Sequence, residues 1–288
     1  MVVLENEQLK VTIKLKGAEL CSVINKQDNT EYIWQGNPDV WAYHAPNLFP
    51  VVGGLKDNKL RVNGKEYPLG RHGFARTSTF RRIESTPDHA IFSLAYDEET
   101  LQAYPYKFEF EIVYRLSGNQ IHVLYKVVNK EDNKIFFSLG AHPGFNVPLE
   151  EGEAYEDYFI AFEKDEDLVA ATLSDKGLFN GQHKEILKGN KLPLKANLFD
   201  DDALVFKNIH SRSVALRNNR GTKSVKLDFP NFKELGIWAK PGAPFVCVEP
   251  WLGYADSELG HQDIPDKPGI QSLEKGHVFE VDLTFTFG

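Results

Sequence analysis

Three stretches of this chain set titratable side chains beside glycine or proline, where a rigid element can hold them over a cleft. The first runs from Ala45-Pro46-Asn47-Leu48-Phe49-Pro50 through Gly53-Gly54 to Arg71-His72-Gly73-Phe74-Ala75-Arg76. The second is Gly140-Ala141-His142-Pro143-Gly144-Phe145-Asn146, and the third is Cys247-Val248-Glu249-Pro250-Trp251-Leu252-Gly253. Taken singly, each has a plain structural explanation. A histidine at a strand end bonds its neighbours, Glu249 caps an edge or pairs with an arginine, and the run Asp200-Asp201-Asp202 is a solvated loop. Trp34, Trp41, Trp238 and Trp251 are then core or cover. Taken together, two histidines, a glutamate and an arginine at such punctuation make an acid–base kit with a cation and flat stacking surfaces. A carboxylate is ionised at neutral pH, and an imidazole titrates at roughly 6.5. The other histidines (His44, His89, His122, His183, His210, His261 and His277) lack that context and read as structural.

Other chemistries have no support. There is no Gly-x-Gly-x-x-Gly after a strand, no Gly-Lys-Ser/Thr phosphate loop and no Gly-x-Ser-x-Gly elbow. Neither His-Glu-x-x-His nor paired Cys-x-x-Cys occurs, so no metal and no cofactor is expected. What is left is acid–base chemistry on side chains alone, or binding. The charge points the same way: 33 Lys and Arg against 41 Asp and Glu give a net charge of −8, which repels phosphate backbones and anionic lipid. Neither nucleic acid nor a membrane is an expected partner. Cys21 and Cys247 are the 2 cysteines; both lie in apolar runs and read as free thiols of a reducing compartment. Residues 1–10 show no secretory signal and no stretch of 18 apolar residues occurs, so a cytoplasmic protein is expected.

The elements that must position these residues have a period of two. Leu9, Val11, Ile13 and Leu15 alternate with Lys10, Thr12, Lys14 and Lys16. The alternation from Tyr106 to Leu116 turns at Ser117-Gly118-Asn119 and returns through Ile121, Val123, Tyr125 and Val127, which predicts a hairpin. Asn63-Gly64 predicts a type I′ turn, since both central residues need positive φ. Further strand-like runs lie at 91–96, 135–139, 159–162, 203–206, 214–216, 225–229, 235–239, 245–248 and 278–287. Helical signals are confined to 97–103. With no linker, repeat or low-complexity tract, the 288 residues read as all-β, a large single-domain antiparallel β-sandwich spanning 1–288.

Several blocks resemble one known family. Glu31-Tyr32-Ile33-Trp34, His72-Gly73-Phe74-Ala75-Arg76, His142-Pro143-x-Phe145-Asn146, Glu249-Pro250-Trp251 and Gly269-Ile270 with Leu273 come in the order found in the aldose 1-epimerases, or galactose mutarotases, and in particular their bacterial LacX-type branch. The resemblance covers nearly the whole chain. It implies a sandwich that binds a monosaccharide across one concave sheet, with Glu249 as general base, His142 as general acid and His72 as a second histidine against the sugar. It also implies that Asp202, or Asp201 beside it, grips a hydroxyl, and that Asn47, Arg76, Arg71 and Trp238 contact the substrate. One departure stands out. Typical members carry Asn-Arg where this chain has Asn47-Leu48, and Arg76 or Arg71 is then the replacement.

The implied reaction interconverts α and β anomers of a free aldohexose such as galactose or glucose. On this reading Glu249 and His142 face each other across a pocket wide enough for a hexose, and His142 carries the charge. A monomer or weak homodimer is expected. Three other readings stay open: a hexose-6-phosphate epimerase, a sugar-binding protein without catalysis, and a glycoside hydrolase using Glu249 and Asp202.

Overall fold

The expected hairpin is present. In the computed structural model, which describes residues 1–260 and 262–288, the strands Phe108–Ser117 and Gln120–Asn129 pair antiparallel with Leu116 opposite Ile121 and Phe110 opposite Val127. His261 lies outside the described residues. Asn63 and Gly64 have φ of 51° and 75° and join Lys59–Val62 to Lys65–Pro68, as a type I′ turn requires. The helical signal becomes a short helix, Glu98–Ala103, whose N-cap Asp97 accepts a hydrogen bond from the Thr100 amide.

Most strands join one antiparallel sheet, fifteen-stranded among the described residues. One end of its order runs Asn47–Leu48, Leu139–Ala141, Phe245–Leu252, Glu234–Trp238, Leu204–Phe206, Tyr158–Leu173; the other runs Val278–Phe287, Gln120–Asn129, Phe108–Ser117, His89–Ala95, Arg81–Ser85. The sheet folds over so that its two ends pack face to face. Phe145, beside Phe245–Leu252, lies 6.0 Å from Phe285 of Val278–Phe287, and Phe49 stacks on Phe110 at 4.6 Å. The layers close over a continuous apolar core that includes Phe49, Phe110, Ile112, Phe137, Val246 and Leu283, giving the sandwich read from the sequence. No helix among the described residues is long and apolar enough to cross a membrane.

Two differences from the sequence reading matter. The run at 159–162 is the start of a hairpin between Tyr158–Leu173 and Phe179–Pro193. Most of Phe179–Pro193 is exposed, so backbone pairing rather than an apolar face defines it, and a period-two search cannot see it. The strand expected to stop at 248 continues as Phe245–Leu252, buried throughout. Glu249 therefore sits inside the sheet, opposite Gly236, rather than on the loop beyond it.

Candidate active site

Alternation along Phe245–Leu252 separates two functions. Val246, Val248 and Leu252 join the main core, while Phe245, Cys247 and Trp251 belong to clusters on the opposite face. Glu249 shares the parity of that opposite face and opens into a cavity of about 430 Å³. Trp251 forms part of its floor. A Cβ on Gly140 would come within 2.5 Å of the Trp251 indole, and one on Gly236 within 2.7 Å. Gly140 and Gly236 lie on the strands flanking Phe245–Leu252, so the ring lies flat across three strands only because both neighbours lack side chains.

His142 reaches the same cavity from the turn between Leu139–Ala141 and Gly144–Asn146. Its amide donates to the Pro46 carbonyl at 3.0 Å, and its Nε2 lies 3.1 Å from Glu249 Oε2. The imidazole and the carboxyl are thus side by side, not across the pocket from one another as expected. Trp41 stacks on the imidazole, with centroids 5.1 Å apart and planes at 28°. His72 is held at φ 66° by its own amide, which donates to the Gly53 carbonyl, while its Nδ1 accepts the Gly53 amide at 3.1 Å. That bond places the ring proton of neutral His72 on Nε2.

Burial dominates the electrostatics. It pushes the Glu249 carboxyl well above the usual range, and nearby Asp202 adds to the shift. Burial, with help from Arg76 and Arg71, lowers the His142 imidazole to about 3. His72 is likewise held well below the ordinary value by burial, with His142 and both arginines adding to the shift. The expectation that His142 carries a charge therefore does not describe the unliganded pocket, where desolvation favours a neutral imidazole beside a protonated carboxyl. Two buried nitrogens here, His142 Nδ1 and Arg76 Nε, make no hydrogen bond among the described residues.

Asp202 and Asp200 line the cavity, whereas Asp201 pairs with Lys184 at 2.8 Å and does not line it. Arg71, Arg76 and Trp238 also line it. Arg71 crosses Gly177, where a Cβ would overlap the guanidinium. Arg76 Nη2 donates to the Arg71 carbonyl at 3.0 Å, and the guanidinium sits 5.0 Å from the Tyr43 ring centre. Neither arginine has a carboxylate ion-pair partner among the described residues.

Asn47 is the correction. Its Nδ2 donates to the carbonyls of Gly17 and Ala18, its Oδ1 accepts from Tyr125, and it does not line the cavity. It braces the core on one face of its strand. Leu48, where the arginine was expected, is buried on the other face against Val52, Trp251 and Ala255. Trp41 was read only as core or cover; it lies in a segment without alternation, so no periodic signal marked its place against His142. Cys247 was also read only as a buried thiol. Its Sγ, a nitrogen of His142 and a Glu249 oxygen lie within 4.8 Å of one another, a set of metal-ligand types that sequence spacing does not display.

Residues 1–267 match the family model described as aldose 1-epimerase. The plasmid-encoded protein LacX of Lactococcus lactis subsp. lactis is 36% identical over 280 residues, covering 94% of this chain and 93% of that protein. The crystal structure of a galactose mutarotase related enzyme from Lactobacillus acidophilus superposes with a TM-score of 0.94 at 34% identity, covering 100% of this chain and 97% of the other. A galactose mutarotase-like protein from Lactobacillus casei matches with the same TM-score of 0.94 at 31% identity, covering 100% of both chains. With the family model matched over most of its length and these relatives more than 30% identical, the chain belongs to the aldose 1-epimerase family.

Proposed function

We propose that this chain interconverts the α and β anomers of a free aldohexose such as galactose or glucose, with Glu249, His142 and His72 as its catalytic groups. The observation that carries this reading is the 3.1 Å contact between His142 Nε2 and Glu249 Oε2 at the wall of a hexose-sized cavity. Opening a cyclic hemiacetal takes a proton from the anomeric hydroxyl and gives one to the ring oxygen. Both oxygens are bonded to the same carbon, so the acid and the base must sit next to each other.

Glu249 as carboxylate takes the hydroxyl proton, the bond from the anomeric carbon to the ring oxygen breaks, and His142 as imidazolium protonates that oxygen. The free aldehyde turns about its bond to the next carbon. Closure on the other face returns both protons, and no group is oxidised or reduced. Each positioned group contributes about 10²–10⁴-fold. His72 Nε2–H donates to an oxygen as charge develops on it, Asp202 accepts from a hydroxyl, and Trp238 and Trp251 offer flat faces to the C–H side of the ring.

Polarimetry of freshly dissolved α-D-glucose and α-D-galactose tests this reading. The wild-type chain accelerates the approach to equilibrium, and Glu249→Gln loses about 10²-fold or more while sugar affinity and the unfolding midpoint stay put. Retention of most turnover in Glu249→Gln removes the base assignment. An unchanged spontaneous rate with wild-type protein leaves a binder without catalysis.

One observation favours a second reading. Arg71 and Arg76 present two guanidiniums to the cavity without a carboxylate ion pair, an arrangement suited to a phosphorylated hexose. Competition between glucose and glucose 6-phosphate in the same assay separates the two: inhibition by the phosphate ester at concentrations far below those of the free sugar favours it as the substrate.

A further inference from the structure

Cys247 stands two residues before Glu249 on one strand, so both side chains leave the same face of Phe245–Leu252. Its Sγ, one His142 ring nitrogen and one Glu249 oxygen lie within 4.8 Å of one another, and all three residues are buried. The proposed reaction uses the imidazole and the carboxyl and leaves the thiol idle. That thiol makes no hydrogen bond among the described residues. It sits in an apolar cluster with Trp34 and Phe245, against which Trp41 and Trp238 pack. His142 and Glu249, in contrast, line the cavity of about 430 Å³. An ion entering that cavity therefore meets an imidazole and a carboxyl first, with the thiol next to them.

We propose that Cys247, His142 and Glu249 form a three-ligand site for a thiophilic divalent cation of the Zn²⁺ class, which shuts the acid–base pair down while it is bound. The inhibitory half rests on the reading that this pair opens hemiacetal rings; the binding half does not. A thiolate, an imidazole and a carboxylate are donors that select Zn²⁺, Cd²⁺ or Co²⁺ over Mg²⁺ and Ca²⁺. Around a tetrahedral Zn²⁺ the ligand atoms stand about 3.3–3.7 Å apart. The 3.1 Å between His142 Nε2 and Glu249 Oε2 is already near that spacing. The thiol, inside the 4.8 Å limit, has no more than about 1.5 Å to close, within the swing of its single χ1 bond. Two anionic ligands balance the charge of the ion, so the buried complex is neutral although Arg71 and Arg76 face the same cavity. Burial holds the Cys247 thiol well above its ordinary range, so the free site keeps that proton. Binding releases two protons to solvent, that of the thiol and the one held by the carboxyl–imidazole pair, and no group is oxidised or reduced.

Metal-free protein is titrated with Co²⁺, whose tetrahedral thiolate complexes show a sulfur-to-metal charge-transfer band in the near ultraviolet. Wild type develops this band, and excess Mg²⁺ or Ca²⁺ does not displace it. Cys21→Ser keeps the band, since Cys21 lies on another strand, Leu20–Asn25, while Cys247→Ala and Cys247→Ser lose it. Zn²⁺ slows glucose mutarotation by wild type, and a chelator restores the rate. In Cys247→Ala the Zn²⁺ concentration for half-inhibition, taken against that variant's own metal-free rate, rises about 10- to 100-fold or more, since losing even an outer partner of a metal ligand costs that much. No band in wild type, or a band that survives in Cys247→Ala, overturns the proposal. Equally potent Zn²⁺ inhibition of wild type and Cys247→Ala overturns it as well. If wild-type protein accelerates no sugar, the epimerase reading fails by itself, and the metal site stands or falls on the cobalt band alone.

Discussion

His142 Nε2 and Glu249 Oε2 lie 3.1 Å apart, and burial moves each group towards its uncharged form. A protonated carboxyl beside a neutral imidazole holds one proton. The carboxylate–imidazolium arrangement that the proposed reaction needs also holds one proton and has the same net charge. Passing between them is a proton shift within the pair, which a polar substrate can favour without any exchange with solvent.

The pH–rate profile follows from that count. A second proton joins the pair only as pH falls towards the His142 value of about 3, removing the base. The shared proton leaves only as pH rises through the elevated Glu249 value, removing the acid. On the acid side kcat/KM stays level as pH falls through 4.5, the ordinary carboxyl value, and drops only towards 3. Polarimetric rates across that window check this; a clear acid limb at 4.5 contradicts it.

Acid stability has a related sign. The folded value of His142 is depressed, so its contribution is complete above the unfolded value of 6.5 and is lost as pH falls towards 3. Between pH 7 and pH 5 this amounts to roughly 2 kcal/mol. Urea unfolding at the two pH values shows a smaller loss in His142→Asn than in wild type, and equal losses refute the assignment.

Asn47 is expected to matter for folding and not for substrate. Asn47→Ala strands the Tyr125 hydroxyl and the Gly17 carbonyl, while Tyr114 still donates to the Ala18 carbonyl, costing about 1–3 kcal/mol. The glucose KM of the folded variant matches wild type. A rise in KM without loss of stability would return Asn47 to the sugar site.

The glycine trough under Trp251 gives a fourth test. Gly140→Ala places a methyl group within 2.5 Å of the indole, so the ring must shift into the cavity that it floors. Destabilisation of about 1–3 kcal/mol is expected, together with a fall in turnover as the cavity floor shifts. Gly64→Ala, whose added methyl meets nothing within 4 Å, is the control for local backbone strain without damage to the floor.

Much of this was legible in the chain itself. Alternation marked Phe108–Ser117, Gln120–Asn129 and Val278–Phe287 because each buries one face and wets the other. His142 and Glu249 were marked by type and punctuation. The end of the strand carrying Glu249 was not legible, because a strand buried on both faces loses its alternation and Pro250 imitates a stop. Asn47 was misjudged because it is the neighbour of the departing position, and one residue along a strand reverses the face. Trp41 and the nearness of Cys247 to Glu249 depend on contacts between distant segments, which no local pattern encodes.

Glu249 comes from a strand paired on both sides for most of its length, not from a mobile loop. Its amide neighbours cannot exchange with deuterium by local fraying; they wait for the sheet itself to open. Loss of the proposed activity on heating then tracks global melting degree for degree, with no cooler step in which the chain is still folded but already inert.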